Sequence, residues 1–249
     1  YDYIFEDVRG LLNDNDLVVA NLEGPITDRQ SISVDSDFET KENYMFTFNP
    51  QVAGVLKKHN IRLVNLGNNH IMNFGAGGLE QTKKYLSEAK VDYFCADDKR
   101  SRIYELRGIK IGFVCYNQFE KEAFERAKRD IGEIRVNSDI VILYAHWGKE
   151  YETTILRSIV VIAHQFIDSG VDLIIGSHPH VIQEKEEYQG KTIYYSLGNF
   201  IFDQYFDPRT TEGLAVKVVI DGDNNITTQE FRLNLKNNGQ TWVNPHTKI

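Results

Sequence analysis

Short apolar runs constrain this chain more than any other feature. They occupy residues 16–20, 61–66, 139–145 and 171–175, and each reads as a buried strand. Between them the apolar spacing changes to that of a helix face. Val52, Val55 and Leu56 point inward over 50–59. Leu79, Thr82, Tyr85, Leu86 and Ala89 share one side over 78–89, after a Gly-rich turn at Gly75, Gly77 and Gly78. A further helix over 154–169 closes at Gly170. Strands alternating with helices predict an α/β domain. The later chain reads differently. Residues 102–106 with 109–116, 181–186 with 191–196, and 214–220 with 226–233 flank turn sequences and read as β-hairpins. No repeat or Pro/Ser/Gly linker divides the 249 residues. The expectation is a single α/β domain over 1–249, with mixed sheets packed together and helices outside.

The ends of the apolar runs carry the chemistry. The first ends at Glu23, the second at Asn69 and His70, the third at His146, and the fourth at His178 and His180. In α/β sheets ligands gather outside the carboxyl ends of strands, so these side chains are expected to converge. Pro179 favours an extended His178, and extended backbone would turn His178 and His180 to the same side. Imidazole, carboxylate and amide donors without thiolate suit Mn, Fe, Zn or Mg. The donor set exceeds the three protein ligands usual for one catalytic zinc, so either one or two divalent ions fit. The other histidines read as structural: His59 as a solvated helix end, His164 within a helix, and His246 as an exposed residue near the C-terminus.

A net charge of -8 argues against nucleic acid as a partner. The charged stretch 119–129 reads as a solvated helix face. Cys95 and Cys115 lie in apolar, strand-like runs, and two buried free thiols are the default reading, with one disulfide as the alternative. No apolar run reaches 18 residues, and no signal peptide is visible. The chain opens on Tyr1, which leaves a removed leader or anchor open.

Several blocks together carry a family resemblance. They are Asn-Leu-Glu at 21–23, Asn-Asn-His at 68–70, His-Trp-Gly-Lys-Glu-Tyr at 146–151, Gly-Ser-His-Pro-His at 176–180 and Tyr-Ser-Leu-Gly-Asn-Phe-Ile-Phe-Asp at 195–203. In this order they resemble the CapA family, the poly-γ-glutamate capsule biosynthesis proteins of PgsA type. The resemblance implies a calcineurin-like metallophosphoesterase fold, a four-layer α-β-β-α sandwich. It also implies an extracytoplasmic, membrane-anchored protein that makes or exports poly-γ-glutamate, with a membrane-bound synthesis complex as partner. Glu23 matches the acidic metal ligand, Asn69 the amide ligand and His70 the catalytic histidine. His146, His178 and His180 match further metal ligands. Asn199 and Asp203 fall in the last block, as site lining or as loop structure. Three departures stand out. The family's first strand with its Asp block is missing, Asn73 stands where an Asp is usual, and residues 155–159 lack the usual Pro and Gln.

The resulting expectation is a divalent ion activating water for attack on a phosphoryl or amide centre, with His70 as general acid. The substrate would be poly-γ-glutamate or a phosphorylated small molecule. Lys149 and Asn199 are candidate substrate contacts, although a solvated lysine is the simpler reading of Lys149. Trp147 either floors the site or packs in the core. The rival readings are a non-catalytic assembly or export component and a general phosphodiesterase or nucleotidase.

Overall fold

The computed structural model describes residues 1–37 and 40–244. It is mixed α/β, with parallel and antiparallel sheets. His246 lies outside the described residues. Packing of the backbone divides the chain into two compact units, Gly10–Arg100 with Tyr1, and Asp2–Arg9 with the chain from Ser101 onward.

The first unit is a three-stranded parallel sheet with helices. A short helix α1 (Arg9–Asn13) leads into β1 (Val18–Asn21). Next come α2 (Gln51–Lys58), β2 (Ile61–Asn65), α3 (Gly75–Glu88) and β3 (Asp92–Phe94), in sheet order β1-β2-β3. Leu63, Val64, Phe94 and Leu86 are fully buried, as the apolar periodicity predicts. The Gly-rich stretch is not a turn, because α3 already begins at Gly75. Gly78 serves packing there: a Cβ on it would lie 2.7 Å from the Cβ of Phe74. His59 is also a correction. It is buried at the end of α2, where Asn60 takes a positive φ of 63° to turn the chain into β2.

The second unit opens with a 3-10 turn over Asp2–Val8, held to the chain's later part. The Tyr3 hydroxyl donates to the Asn238 carbonyl at 2.7 Å, and Lys236 pairs with Asp7 at 2.8 Å. The main sheet starts with the hairpin β4 (Arg102–Leu106) and β5 (Ile109–Asn117). Helix α4 (Ala123–Arg135), β6 (Ile140–His146), α5 (Arg157–Asp168) and β7 (Leu173–Ser177) follow. A second hairpin, β8 (Lys185–Tyr188) and β9 (Lys191–Tyr194), completes the order β4-β5-β6-β7-β9-β8. The strands β5, β6, β7 and β9 are parallel. The turns at Arg107-Gly108 and Gln189-Gly190 have positive φ at both central residues, as two-residue hairpins require.

Both helices bury one stripe against this sheet, Ala127, Ile131 and Ile134 from α4, and Ile159, Ala163, Phe166 and Ile167 from α5. Trp147 belongs to that core. It is fully buried, and its indole N–H donates to the Tyr195 carbonyl at 2.8 Å. A third hairpin, β10 (Glu212–Ile220) and β11 (Ile226–Leu235), pairs with β12 (Thr241–Val243) in a separate antiparallel sheet.

The cysteines overturn the default expectation of free thiols: Cys95 and Cys115 are disulfide-bonded. Pairing depends on tertiary approach, which sequence spacing does not report. The Ser-His-Pro-His stretch is a further correction. β7 stops at Ser177, and His178 and His180 have positive φ of 96° and 58°, so strand alternation no longer governs them. Their ring centroids are 6.3 Å apart, and the planes are inclined by 52°.

Candidate metal centre

In the first unit the donors sit in turns shaped by asparagines. Glu23 follows β1 and is 8% exposed; the Asn21 side-chain amide donates to its Oε2. The Gly24 N–H donates back to Leu22 at 2.8 Å. Gly24 has φ of 143°, and a Cβ there would lie 2.7 Å from the Phe46 ring. No other residue fits so tight an exit from the strand. Asn65 and Asn68 each donate to Asn21 Oδ1 at 3.3 Å, and Asn68 also donates to the Leu22 carbonyl at 2.7 Å. Asn68 Oδ1 accepts the His70 N–H at 3.1 Å. The exits of β1 and β2 are thereby tied together.

His70 is buried. Its Nε2 lies 3.2 Å from Asn69 Nδ2, and its ring lies 4.7 Å from that of Phe46. Asn73, which stands where an Asp was expected, spends its amide hydrogens on the Tyr44 and Phe46 carbonyls at 2.8 and 3.3 Å. It therefore pins the 44–46 segment against which His70 packs.

In the second unit His146 ends β6 and is fully buried. Its register partner in β7 is Ser177, whose hydroxyl lies 3.0 Å from His146 Nδ1. The Ser177 hydroxyl donates to the Ala145 carbonyl at 3.1 Å. A hydroxyl has one hydrogen, so towards His146 it accepts, and Nδ1 carries the proton. That leaves the lone pair on Nε2, the tautomer of a metal-ligating histidine whose other nitrogen is hydrogen-bonded to the protein. His178 follows directly. Its ring is 4.8 Å from that of His146 and 4.7 Å from that of Phe119. His146 and His178 offer ligand nitrogens within 4.8 Å of each other, close enough for one cation to take both.

His180 lies beside this pair, with Nδ1 2.9 Å from Asn199 Oδ1 and its ring 4.9 Å from that of Phe202. Asn199 is buried. Asp203 is exposed, and the Tyr205 N–H donates to its carbonyl at 3.2 Å. Lys149 is on the surface, paired with Glu152 at 2.9 Å. His164 packs flat on Tyr188 at 3.7 Å and meets Glu186 at 2.8 Å. The sequence blocks contain Ser177, Asn21 and Asn68 without assigning them a role, and Phe119 and Asn65 fall outside those blocks. The asparagines carried a signal, since polar amides closing apolar strands are out of place unless they hold turns. Phe119 carried none.

The blocks that hold these side chains match a family model. The model described as bacterial capsule synthesis protein PGA_cap covers residues 1–204. The chain belongs to the PGA_cap family. Among curated relatives, the PGA biosynthesis protein CapA of Bacillus subtilis is 31% identical over 82% of this chain and 57% of its own length. The capsule biosynthesis protein CapA of Bacillus anthracis is 28% identical over 82% of this chain and 54% of its own. A probable polyglutamine synthesis accessory protein of Mycobacterium tuberculosis is 26% identical over 76% and 56%. The chain thus spans about half the length of the curated relatives it matches. Among solved structures, Vps29 of Entamoeba histolytica complexed with zinc aligns over 92% of this chain and 96% of its own. That likeness is distant, at 15% identity and a TM-score of 0.36.

Proposed function

We propose that this PGA_cap chain carries a metal-dependent hydrolase-type site used in poly-γ-glutamate synthesis. The carrying observation is the pair His146 and His178, buried at the ends of β6 and β7 with ligand nitrogens within 4.8 Å. Two imidazoles suit a borderline divalent ion such as Zn or Fe, and the carboxylate and amide among the other candidate donors extend the set to Mn or Mg. In this reading His146, His178 and His180 supply ligands for one or two ions from the second unit, Glu23 and Asn69 are the candidate ligands of the first, and the chain works as a single domain of calcineurin-like architecture. Such an ion, when bound, polarises an acyl or phosphoryl oxygen and lowers the pKa of water.

The chain's own residues do the rest. His70 moves a proton to the leaving group from a ring fixed by Phe46 and Asn69. Lys149, by exchanging Glu152 for substrate, steadies an anionic group. The substrate is a γ-glutamyl chain or a phosphorylated small molecule. A second reading, an accessory role in a membrane-bound synthesis complex, draws support from the description of the mycobacterial relative. We also propose an extracytoplasmic, membrane-anchored protein. Two disulfide-bonded cysteines favour an oxidising compartment. No helix among the described residues is long and apolar enough to cross a membrane, so cell fractionation of the native protein is the test of anchorage.

Elemental analysis tests the site. The parent protein is expected to hold near-stoichiometric divalent metal, lost in His146→Ala/His178→Ala. A parent that stays metal-free after incubation with Mn and Zn would overturn the reading. Turnover of γ-glutamyl and phosphoester substrates by the loaded protein then separates the hydrolase from the accessory component.

A further inference from the structure

Asn199 is held from every side. Its Nδ2 donates to the Thr210 carbonyl at 2.9 Å and to Gln204 Oε1 at 3.3 Å. Those two bonds use both amide hydrogens and fix which end of the amide faces His180. The facing atom is Oδ1, 2.9 Å from His180 Nδ1. An amide oxygen only accepts, so His180 must place its proton on Nδ1. In the neutral ring Nε2 then carries the lone pair.

The backbone around Asn199 is equally fixed. Its N–H donates to the Glu212 carbonyl at 3.3 Å, and the Leu214 N–H donates to the Leu197 carbonyl at 2.7 Å. A Cβ on Gly213 would lie 1.8 Å from the Asn199 carbonyl oxygen, so only glycine lets the start of β10 come this close. Gln204 in turn donates to the Tyr151 hydroxyl at 3.2 Å, and the Tyr151 ring lies over His180 at 6.1 Å. The loop after β9, the start of β10 and the segment after β6 thus all brace one imidazole.

We infer that Asn199 is a positioning residue, which fixes the proton of His180 on Nδ1 and keeps Nε2 as the nitrogen that meets a divalent cation. The inference rests on the reading of His180 as a metal ligand and moves Asn199 out of the substrate-contacting set. It explains why an asparagine is needed at this place. The amide must donate to a carbonyl on one side and accept from a ring on the other.

The test uses the imidazole nitrogens of 15N-labelled, metal-free protein, with His180 assigned by its loss in His180→Gln. Long-range proton–nitrogen spectra are expected to show His180 protonated on Nδ1 in the parent and in Asn199→Asp, which still accepts. In Asn199→Ala the proton should shift to Nε2. Both variants lose the donor to Thr210, so both should melt lower; only Asn199→Ala should also bind Zn roughly 10–100-fold more weakly. A parent ring protonated on Nε2 overturns the inference. So does an Asn199→Ala protein that melts lower yet keeps the parent's tautomer and Zn affinity, for Asn199 would then be structural only. If the tautomer shifts as expected while neither the parent nor the variants bind Zn or Mn, the proton-fixing role stands and the metal-centre reading fails.

Discussion

Ser177 accepts the Nδ1–H of His146 at 3.0 Å while giving its own hydrogen to the Ala145 carbonyl. One strand thus sets the tautomer of a histidine on its neighbour, through a register that backbone hydrogen bonds already fix. The same register places His178 one residue past Ser177. His146 and its serine are products of the β6–β7 ladder, His178 belongs to the turn that follows, and the first testable consequence concerns the serine.

Ser177→Ala should weaken Zn or Mn binding about tenfold, as loss of a hydrogen-bond partner behind a metal ligand typically does. Ser177→Thr, which keeps the hydroxyl, should bind as the parent does. Titration calorimetry with each metal separates the two variants, and equal weakening in both would show that bulk rather than the hydrogen bond matters.

His70→Ala should leave metal content intact and lower kcat by roughly 100-fold or more on whichever substrate the loaded protein turns over. Metal analysis and kinetics on the same preparation check this. Loss of metal along with activity would make His70 a ligand instead of a proton donor.

Asp172 precedes β7 and joins three elements: Arg135 of α4 at 2.6 Å, Lys191 of β9 at 2.7 Å, and the Val141 N–H of β6 at 2.9 Å. Burial raises its pKa, yet the bonds from Lys191, Val141 and Arg135 outweigh it and hold the carboxyl below the usual range. The stabilisation is complete above the unfolded-state value of about 3.9 and is lost as pH falls through the lower folded value. Asp172→Asn should cost about 1–3 kcal/mol near neutral pH. The gap between parent and variant in urea denaturation should narrow below about pH 4.

Gly176 sits inside β7 against the strand beside it: a Cβ there would lie 2.1 Å from the Tyr195 carbonyl oxygen. The obstacle is backbone, which cannot swing aside. Gly176→Ala should lower the urea midpoint by an amount equal to about 1–3 kcal/mol, and a midpoint unchanged from the parent would show that the two strands separate at little cost.

Features written in local sequence were legible. Arg107-Gly108 and Gln189-Gly190 announce their hairpins because positive φ at both turn positions limits which residues fit. The apolar runs ending at Asn21, Asn65 and His146 announce strands and place donors at their carboxyl ends. What stayed hidden depends on partners distant in the chain. His59 looks solvated at a helix end and is buried. Gly75, Gly77 and Gly78 read as a turn, yet they open α3, whose hold comes from Thr82 and Leu86 in the core. The conformation of His178 and His180 follows from where β7 stops, which neither periodicity nor Pro179 reports. Asn199 lies 19 residues from the ring it touches, and no local pattern encodes that approach.

The rings of His146 and His178 stand 4.8 Å apart. His146 is fixed by the β6–β7 ladder, but His178 stands one residue beyond it at a φ of 96°, so the turn after β7 sets the other side of the gap. A cation arriving here meets one ring anchored to a sheet and one carried on a turn, so fitting a larger ion asks the turn to yield while the strand pairing stays intact.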